Sequence, residues 1–486
     1  MRTFILHEFE SLTSSDCNDI LSNLKLLRAL SFEIDTETLP NSLGKLKHLR
    51  YLKLSSYELK ELPNSITELY NLHTLILSNC KCLVSLPADI KNLINLRHLE
   101  IYGCRELTHM PRGIGELTLL QTLDMFVVAA NQSSESAGFG ELGKLNNLRG
   151  RLVIQIKGLG ESGAAQCLKN KKHLESLVLN WEVEQDTIGN AKEALECLEP
   201  HQDMKALEVN SYPGETFPPN WLSSLTDLVQ LRLAGFKECK YLPPLHHLSS
   251  LQNLELYDLS ALEFVSNRDR EWDQGYHLST SSRSFFPFLK SLEIRGCTSL
   301  KGWWDREIKD VGDVVGPLTE HHQQHPFFPS LTILEISNCP LLITMPLFPY
   351  LEELKIIDTS SKPLEQTIMM KLKSDGVATT SSASSSSSSS FPLSKLKDLD
   401  ISNASDLESL PKAIENISSL TALTIEGCSN VTSLPEGIGS LSSLTYLRIE
   451  GCSNLTSLPE GIGSLSSLTG LGIEGCSNLT SLPEGI

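Results

Sequence analysis

The sequence predicts an α/β solenoid: a parallel β-sheet on the concave side, with short helices or turns on the convex side. Three observations predict it. The hexad L-x-x-L-x-L, with Ile, Met or Phe allowed last, returns along the chain and is spaced 22 to 24 residues where it is regular. The text EGCSNLTSLPEGIGSLSSLT at Glu450–Thr469 nearly repeats what starts at Glu426, and it starts again at Glu474. Finally, 486 residues with 40% hydrophobic side chains exceed one compact domain of ordinary size, and a repeat architecture makes such a length one structural unit.

The hexads begin with LRALSF at Leu27, LRYLKL at Leu49, LHTLIL at Leu72, LRHLEI at Leu96 and LQTLDM at Leu120. They continue through LQNLEL at Leu251, LKSLEI at Leu289 and LTILEI at Leu331 to LTALTI, LTYLRI and LTGLGI at Leu420, Leu444 and Leu468. In all there are about 17 units, weak copies included. This motif at this period is the mark of leucine-rich repeats. The expected architecture is therefore a leucine-rich-repeat horseshoe over residues 1–486, with a partial first unit at 1–26 and a truncated last one.

Each element of the unit has a physical reason. The second and third apolar residues of the hexad stand two apart, so both point to one face of a short strand and their neighbours point to the other. A loop follows, then LPEGIGSLSSL. Its proline cannot extend a ladder and its fixed φ suits the first turn of a helix. Ile438, Leu441 and Leu444 recur every third residue, a 3₁₀-like period, and the Gly and Ser between them are weak helix formers. Short convex turns are expected in place of full helices. One unit cannot bury its own apolar residues, so neighbours must stack. Three polar stretches, 263–286, 302–328 and the Ser-rich 374–390, are expected as excursions from the solenoid edge, the last of them disordered.

Composition excludes several classes of function. The net charge of −18 disfavours nucleic acid and anionic membrane as partners. No run of 18 apolar residues exists, and MRTFILHEFE lacks the apolar core of a secretion signal, so the expected compartment is the cytoplasm. Cys80, Cys104, Cys297, Cys339, Cys428, Cys452 and Cys476 each stand eight residues after the first Leu of their unit. That is the Asn/Cys slot, where a small side chain meets backbone of the adjacent turn. No CxxC pair points to zinc. GFGELGK at Gly138–Lys144 matches GxxxxGK, but Leu145 stands where a phosphate loop needs Ser or Thr. The segment reads as an ordinary repeat back, like LGKLKHL at Leu43–Leu49. HHQQH at 321–325 reads as a solvated loop. Six N-x-S/T sequons read as repeat text, because three share one slot of duplicated units. No catalytic motif is present, so an enzyme is not expected, nor is a cofactor or metal.

The concave face remains as the candidate for binding. Residues two, four and six after each leading Leu point outward, and parallel stacking arranges them in columns. Toward the N-terminus these are Tyr51, Lys53, His98, Glu100, Tyr102 and Phe126, the last two expected as an exposed aromatic pair. Further on, Glu255, Glu293 and Glu335 form an acidic column beside Arg295. At the end Glu426, Glu450 and Glu474 stack with Arg448 close by. Like charges at strand spacing repel, which favours a basic partner.

The segment Leu62–Leu123, LPNSITELYNLHTLILSNCKCLVSLPADIKNLINLRHLEIYGCRELTHMPRGIGELTLLQTL, resembles the repeat domain of plant intracellular disease-resistance proteins. These are of the coiled-coil, nucleotide-binding, leucine-rich-repeat (CC-NBS-LRR) type. LKGWW at Leu300–Trp304 and MPLFPYLEEL at Met345–Leu354 resemble that group too. The resemblance implies repeats that hold a nucleotide-binding domain at rest, within one chain or in trans, and that help to sense a pathogen effector or a guarded host protein. It places ADP and ATP in the nucleotide-binding domain, which this sequence lacks along with the coiled coil. The expected protein is thus a non-catalytic recognition and autoinhibition module, read as a fragment. The alternatives are a free-standing cytosolic scaffold that binds a small GTPase, and an extracellular ectodomain, whose usual G-x-I-P turn is missing.

Overall fold

The computed structural model describes residues 2–5, 11–12, 21, 23–34, 36–131, 133–158, 166–182, 191–217, 219–222, 224–243, 245–266, 286–304, 328–369 and 393–483. The chain divides into two compact units, Met1–Leu228 and Val229–Ile486.

In the first unit, seven strands form one parallel sheet. They are β1 (Thr3–Ile5), β2 (Ser11–Leu12), β3 (Ala29–Ile34), β4 (Tyr51–Ser55), β5 (Thr74–Ile76), β6 (His98–Glu100) and β7 (Thr122–Leu123). A second parallel run follows: β8 (Met125–Val128), β9 (Arg149–Ile156), β10 (His173–Trp181) and β11 (Ala206–Asn210). The second unit carries β12 (Gln230–Ala234), β13 (Asn253–Tyr257), β15 (Ser291–Arg295), β17 (Ile333–Ser337) and β18 (Glu353–Ile357). It continues with β19 (Asp398–Ser402), β20 (Ala422–Glu426), β21 (Tyr446–Glu450) and β22 (Gly470–Glu474), all parallel and paired in that order. A short separate pair, β14 (Phe264–Ser266) and β16 (Gly302–Trp304), completes it.

The hexad does what its spacing predicts. In β4 and β13 buried and half-exposed residues alternate, with Leu52, Leu54, Leu254 and Leu256 inward. On the opposite side the prolines open 3₁₀ turns at Asn64–Glu68, Lys412–Asn416, Glu436–Ser440 and Glu460–Ser464. Pro435 stands just before its turn with φ −70°, and its carbonyl accepts the Ile438 amide at 3.1 Å. The period of three then places Ile438, Leu441 and Leu444 in the core, each 0% exposed.

Some units replace these turns with α-helix: Phe139–Lys144, Ala191–Cys197, Pro219–Leu222 and Lys362–Met369. Short helices and turns thus share the convex side, as expected. AKEALEC consists largely of strong helix formers, unlike EGIGS. The GxxxxGK look-alike is one of these helices, with Leu142 buried and Lys144 paired to Glu141 at 2.9 Å.

The third expected excursion, 374–390, lies wholly outside the described residues, as do 267–285 and 305–327 of the other two, and HHQQH with them. At the described ends of the first two, apolar side chains are buried. Trp303 is 2% exposed and packs edge-on against Phe328 at 5.3 Å; Phe328 also meets Phe286 at 5.9 Å and Phe348 at 5.5 Å.

In many units the turn position seven residues after the leading Leu takes a left-handed backbone: Asn79, Gly103, Gly235, Asp258, Gly296, Asn338, Asp358, Asn403, Gly427, Gly451 and Gly475 have positive φ. Only Gly, and less readily Asn or Asp, adopts this conformation at low cost, which explains the residue types in the slot. One residue on, the cysteine slot is filled as its size predicts. The Cys104 thiol donates to the Leu77 carbonyl at 3.1 Å, Cys80 to Leu54 at 3.6 Å and Cys428 to Ile401 at 3.7 Å, each in the preceding unit. Burial pushes the Cys80 thiol up to about 11 and Cys104 up to about 12, so neither is a nucleophile.

Candidate protein-interaction surface

Strand register sorts the outward residues into columns. In the first unit one column runs Ala29, Tyr51, Thr74, His98, Thr122, and the next runs Ser31, Lys53, Ile76, Glu100. All of them stand two or four residues after a leading Leu, the slots that the spacing turns outward. Tyr51, Lys53, His98 and Glu100 are half-exposed, and His98 Nδ1 lies 3.0 Å from Thr122 Oγ1. Tyr102, just beyond β6, is 58% exposed.

Phe126 departs from expectation: it is 0% exposed, so the exposed aromatic pair with Tyr102 does not exist. The reason lies at Asp124. Its carboxylate accepts the Ile101 amide at 2.8 Å and the Tyr102 amide at 3.1 Å, where a seventh strand would otherwise continue pairing with β6. The chain then leaves that sheet and restarts as β8, beside β9, with Phe126 opposite Ile154. All four residues of β8 are buried, so the alternation counted from Leu120 ends at Asp124. Burial raises the Asp124 carboxyl above its usual range, against the two backbone donors that favour the ionised form.

The second unit carries the denser arrangement. Its middle column reads Arg232, Glu255, Glu293, Glu335, Lys355, Asp400, Thr424, Arg448. Beside it run Tyr257, Arg295, Ser337, Ile357, Ser402, Glu426, Glu450, Glu474. The acidic stack of Glu255, Glu293 and Glu335 is where the sequence placed it, but it is not a bare column of like charge. Arg295 pairs with Glu293 on its own strand and reaches Glu335 at 2.7 Å. Arg232 pairs with Glu255 at 2.9 Å. Tyr257 sits between the two arginines, 4.3 Å from the Arg232 guanidinium and 5.7 Å from that of Arg295. Burial, then a hydrogen bond to Glu293, pushes its phenol up. Each of the three carboxylates thus has a guanidinium contact within the sheet.

Further along, Glu426, Glu450 and Glu474 lie in one register, and Arg448 Nε donates to Glu450 at 2.9 Å. Here one guanidinium faces three carboxylates, so the acidic excess persists. Arg232, Tyr257 and Lys355 were missed in the sequence. Counting four and six residues on from Leu228, Leu251 and Leu351 would have found them, because they occupy the same outward slots. Among the described residues no group of three or more His, Cys, Asp or Glu side chains could hold a metal, and no helix is long and apolar enough to cross a membrane.

Both units are thus repeat solenoids whose sheet face carries ordered columns of polar, charged and aromatic side chains. The chain belongs to the leucine-rich repeat region family, whose model matches residues 8–308. Its relatives are plant disease resistance proteins. One from Arabidopsis thaliana is 38% identical over 368 residues, which is 68% of this chain and 24% of that protein. An RPP13-like disease resistance protein of the same plant is 37% identical over 72% of this chain and 33% of its own length. Disease resistance protein RGA2 of Solanum bulbocastanum is 34% identical over 46% of this chain and 21% of its own. The chain therefore spans about a quarter of the first of these relatives. Among solved structures, a leucine-rich repeat protein of Leptospira interrogans matches with TM-score 0.51 and 21% identity over 96% of this chain and 95% of that one. The Drosophila Toll–Spatzle complex matches with TM-score 0.52 and 14% identity over 97% of this chain and 54% of that one. These two likenesses concern the fold.

Proposed function

We propose that this chain is the non-catalytic recognition and autoinhibition region of a plant disease-resistance receptor acting in the cytoplasm. The first unit's face, with Tyr51, Lys53, His98, Glu100 and Tyr102, docks on a nucleotide-binding domain, within one chain or in trans. The second unit's columns meet a pathogen effector or a guarded host protein. ADP and ATP belong to the nucleotide-binding domain, and the repeats hold no cofactor of their own. The observation that carries the reading is the register of outward side chains on the sheet face, on a chain whose relatives are disease resistance proteins. A face of half-exposed charged and aromatic residues held rigidly by parallel ladders binds proteins with little ordering cost.

The test is association in trans with the nucleotide-binding domain of a related resistance protein. Tyr102→Ala with Lys53→Glu should weaken binding by about tenfold or more, the scale of a lost contact hot spot. Glu426→Lys with Glu450→Lys, in the other unit, should leave this affinity unchanged. Equal affinity of the first double variant and the parent chain would reject docking at this face.

A further inference from the structure

We infer that Cys167 and Cys197 form a dithiol modification site that a hydroperoxide converts to an intrachain disulfide. The two cysteines occupy the convex side of adjacent units, thirty residues apart, ahead of β10 and β11. Their sulfurs stand 3.8 Å apart. The backbone already holds them together: both the Cys167 amide and the Cys167 thiol contact the Cys197 carbonyl, at 3.1 Å and 3.2 Å. Neither belongs to the cysteine slot of the repeat, where each thiol points at a backbone carbonyl of the preceding unit.

The environment divides the labour between the two sulfurs. The two sulfurs share one hydrogen bond; the contact with Cys167 holds the Cys197 thiol below its ordinary range, while Cys167 itself is pushed up by that contact and by burial. Lys171, four positions beyond Cys167 and 0% exposed, adds a positive charge that favours the thiolate form of Cys167. Cys197 is half-exposed and Cys167 is 5% exposed, so an oxidant meets Cys197 first. Cys297 and Cys339, which also share a thiol hydrogen bond, are each 0% exposed and closed to such attack.

The chemistry balances. The Cys197 thiolate attacks one oxygen of the hydroperoxide, the O–O bond breaks, and the departing oxygen leaves as water or alcohol after protonation. Cys197 is then a sulfenic acid, oxidised by two electrons. The Cys167 sulfur attacks it, the S–S bond forms, the S–O bond breaks, and the Cys167 proton leaves with the hydroxide as water. A dithiol reductant reverses the result by thiol exchange.

The experiment treats the full chain with equimolar hydrogen peroxide, blocks remaining thiols by alkylation and maps the peptides by mass spectrometry without reduction. The expected product is a peptide pair joined through Cys167 and Cys197, lost on dithiothreitol treatment. In Cys167→Ser the joined pair disappears and a dimedone adduct appears at Cys197; in Cys197→Ser neither product forms. Circular dichroism establishes that each variant is folded, and mapping of the parent chain decides the matter by itself if one is not. Oxidation at the half-buried Cys82 or Cys476 while Cys167 and Cys197 both stay alkylatable would overturn the assignment.

Discussion

The thiol of Cys104 donates to the carbonyl of Leu77, 27 residues earlier, at 3.1 Å in a fully buried setting. One small side chain thereby ties the turn of its own unit to the strand of the one before. Cys104→Ala removes this bond and leaves the Leu77 carbonyl with the Cys80 amide alone, at 3.1 Å, and should cost about 1 kcal/mol in urea denaturation of the chain. Cys452→Ala should cost less, because the Cys452 thiol meets only longer acceptors, Glu450 O at 3.6 Å and Ile425 O at 3.9 Å. An equal cost at both sites would mean that packing, and not the hydrogen bond, sets the preference for cysteine.

Glycines in the left-handed slot are not equivalent. Gly427, at φ +63°, lies against Asn403, and a Cβ there would collide with the Asn403 Oδ1 atom. Gly451, at φ +64°, has the Gly427 backbone 3.5 Å from where a Cβ would sit, an ordinary contact. Gly451→Ala should therefore cost about 1–2 kcal/mol for the backbone conformation alone. Gly427→Ala should cost more, and Asn403→Gly should bring it back to the Gly451 value. The measurement is the denaturation midpoint of the three variants.

Arg295 joins two carboxylates on adjacent strands and stands beside Tyr257. Arg295→Ala leaves Glu293 and Glu335 without their guanidinium partner, between the Arg232–Glu255 pair and Lys355 in the same column. The expected loss is about 1 kcal/mol, kept small by the solvent that reaches the guanidinium, and it should shrink in 1 M salt. A thermal-shift series in salt checks both statements; a loss indifferent to salt would assign the role of Arg295 to packing against the ring.

Asp406 provides a pH prediction. Burial alone would raise its carboxyl, but the Ser360 hydroxyl at 2.6 Å and the Ser361 amide at 2.8 Å hold it below the usual carboxylate range. A carboxyl depressed on folding contributes stability that is complete above its unfolded value of about 4 and is lost as pH falls through the folded value. Asp406→Asn should therefore be less stable than the parent chain at pH 7, by about 1 kcal/mol or less since solvent screens the site. The two should converge below about pH 4. Denaturation at pH 7, 5 and 3 reads the difference, and a constant gap would sink the account.

Much of the fold was legible because each repeat carries its own instructions. Leu52 and Leu54, or Leu254 and Leu256, declare an inward face by spacing alone, and Pro435 declares the turn. What was not legible depends on events between units. Phe126 sits in an outward slot by counting, yet Asp124 caps two amides of the neighbouring unit and ends the count. The pairing of Arg295 with Glu335 follows from register across β15 and β17, which no single repeat specifies. Phe286, Trp303 and Phe328 lie at the ends of polar stretches, and their mutual packing outweighs the composition around them. The pairing of Cys167 with Cys197 was hidden for a different reason: both lie outside the repeat slot that drew attention to the other cysteines.

Thr445 Oγ1 donates to Thr421 O at 2.9 Å, and Thr469 Oγ1 donates to Thr445 O at 3.0 Å. Successive joints in this stretch are thus copies of one another, down to the atoms that meet across them. A gene that gained or lost 72 nucleotides here, three for each of the 24 residues between these threonines, would encode a chain whose every seam already exists. A change by any length not a whole multiple of this would have to invent a seam. Variation in the reach of the acidic ladder is therefore open to simple slippage during DNA copying, in steps of one glutamate each.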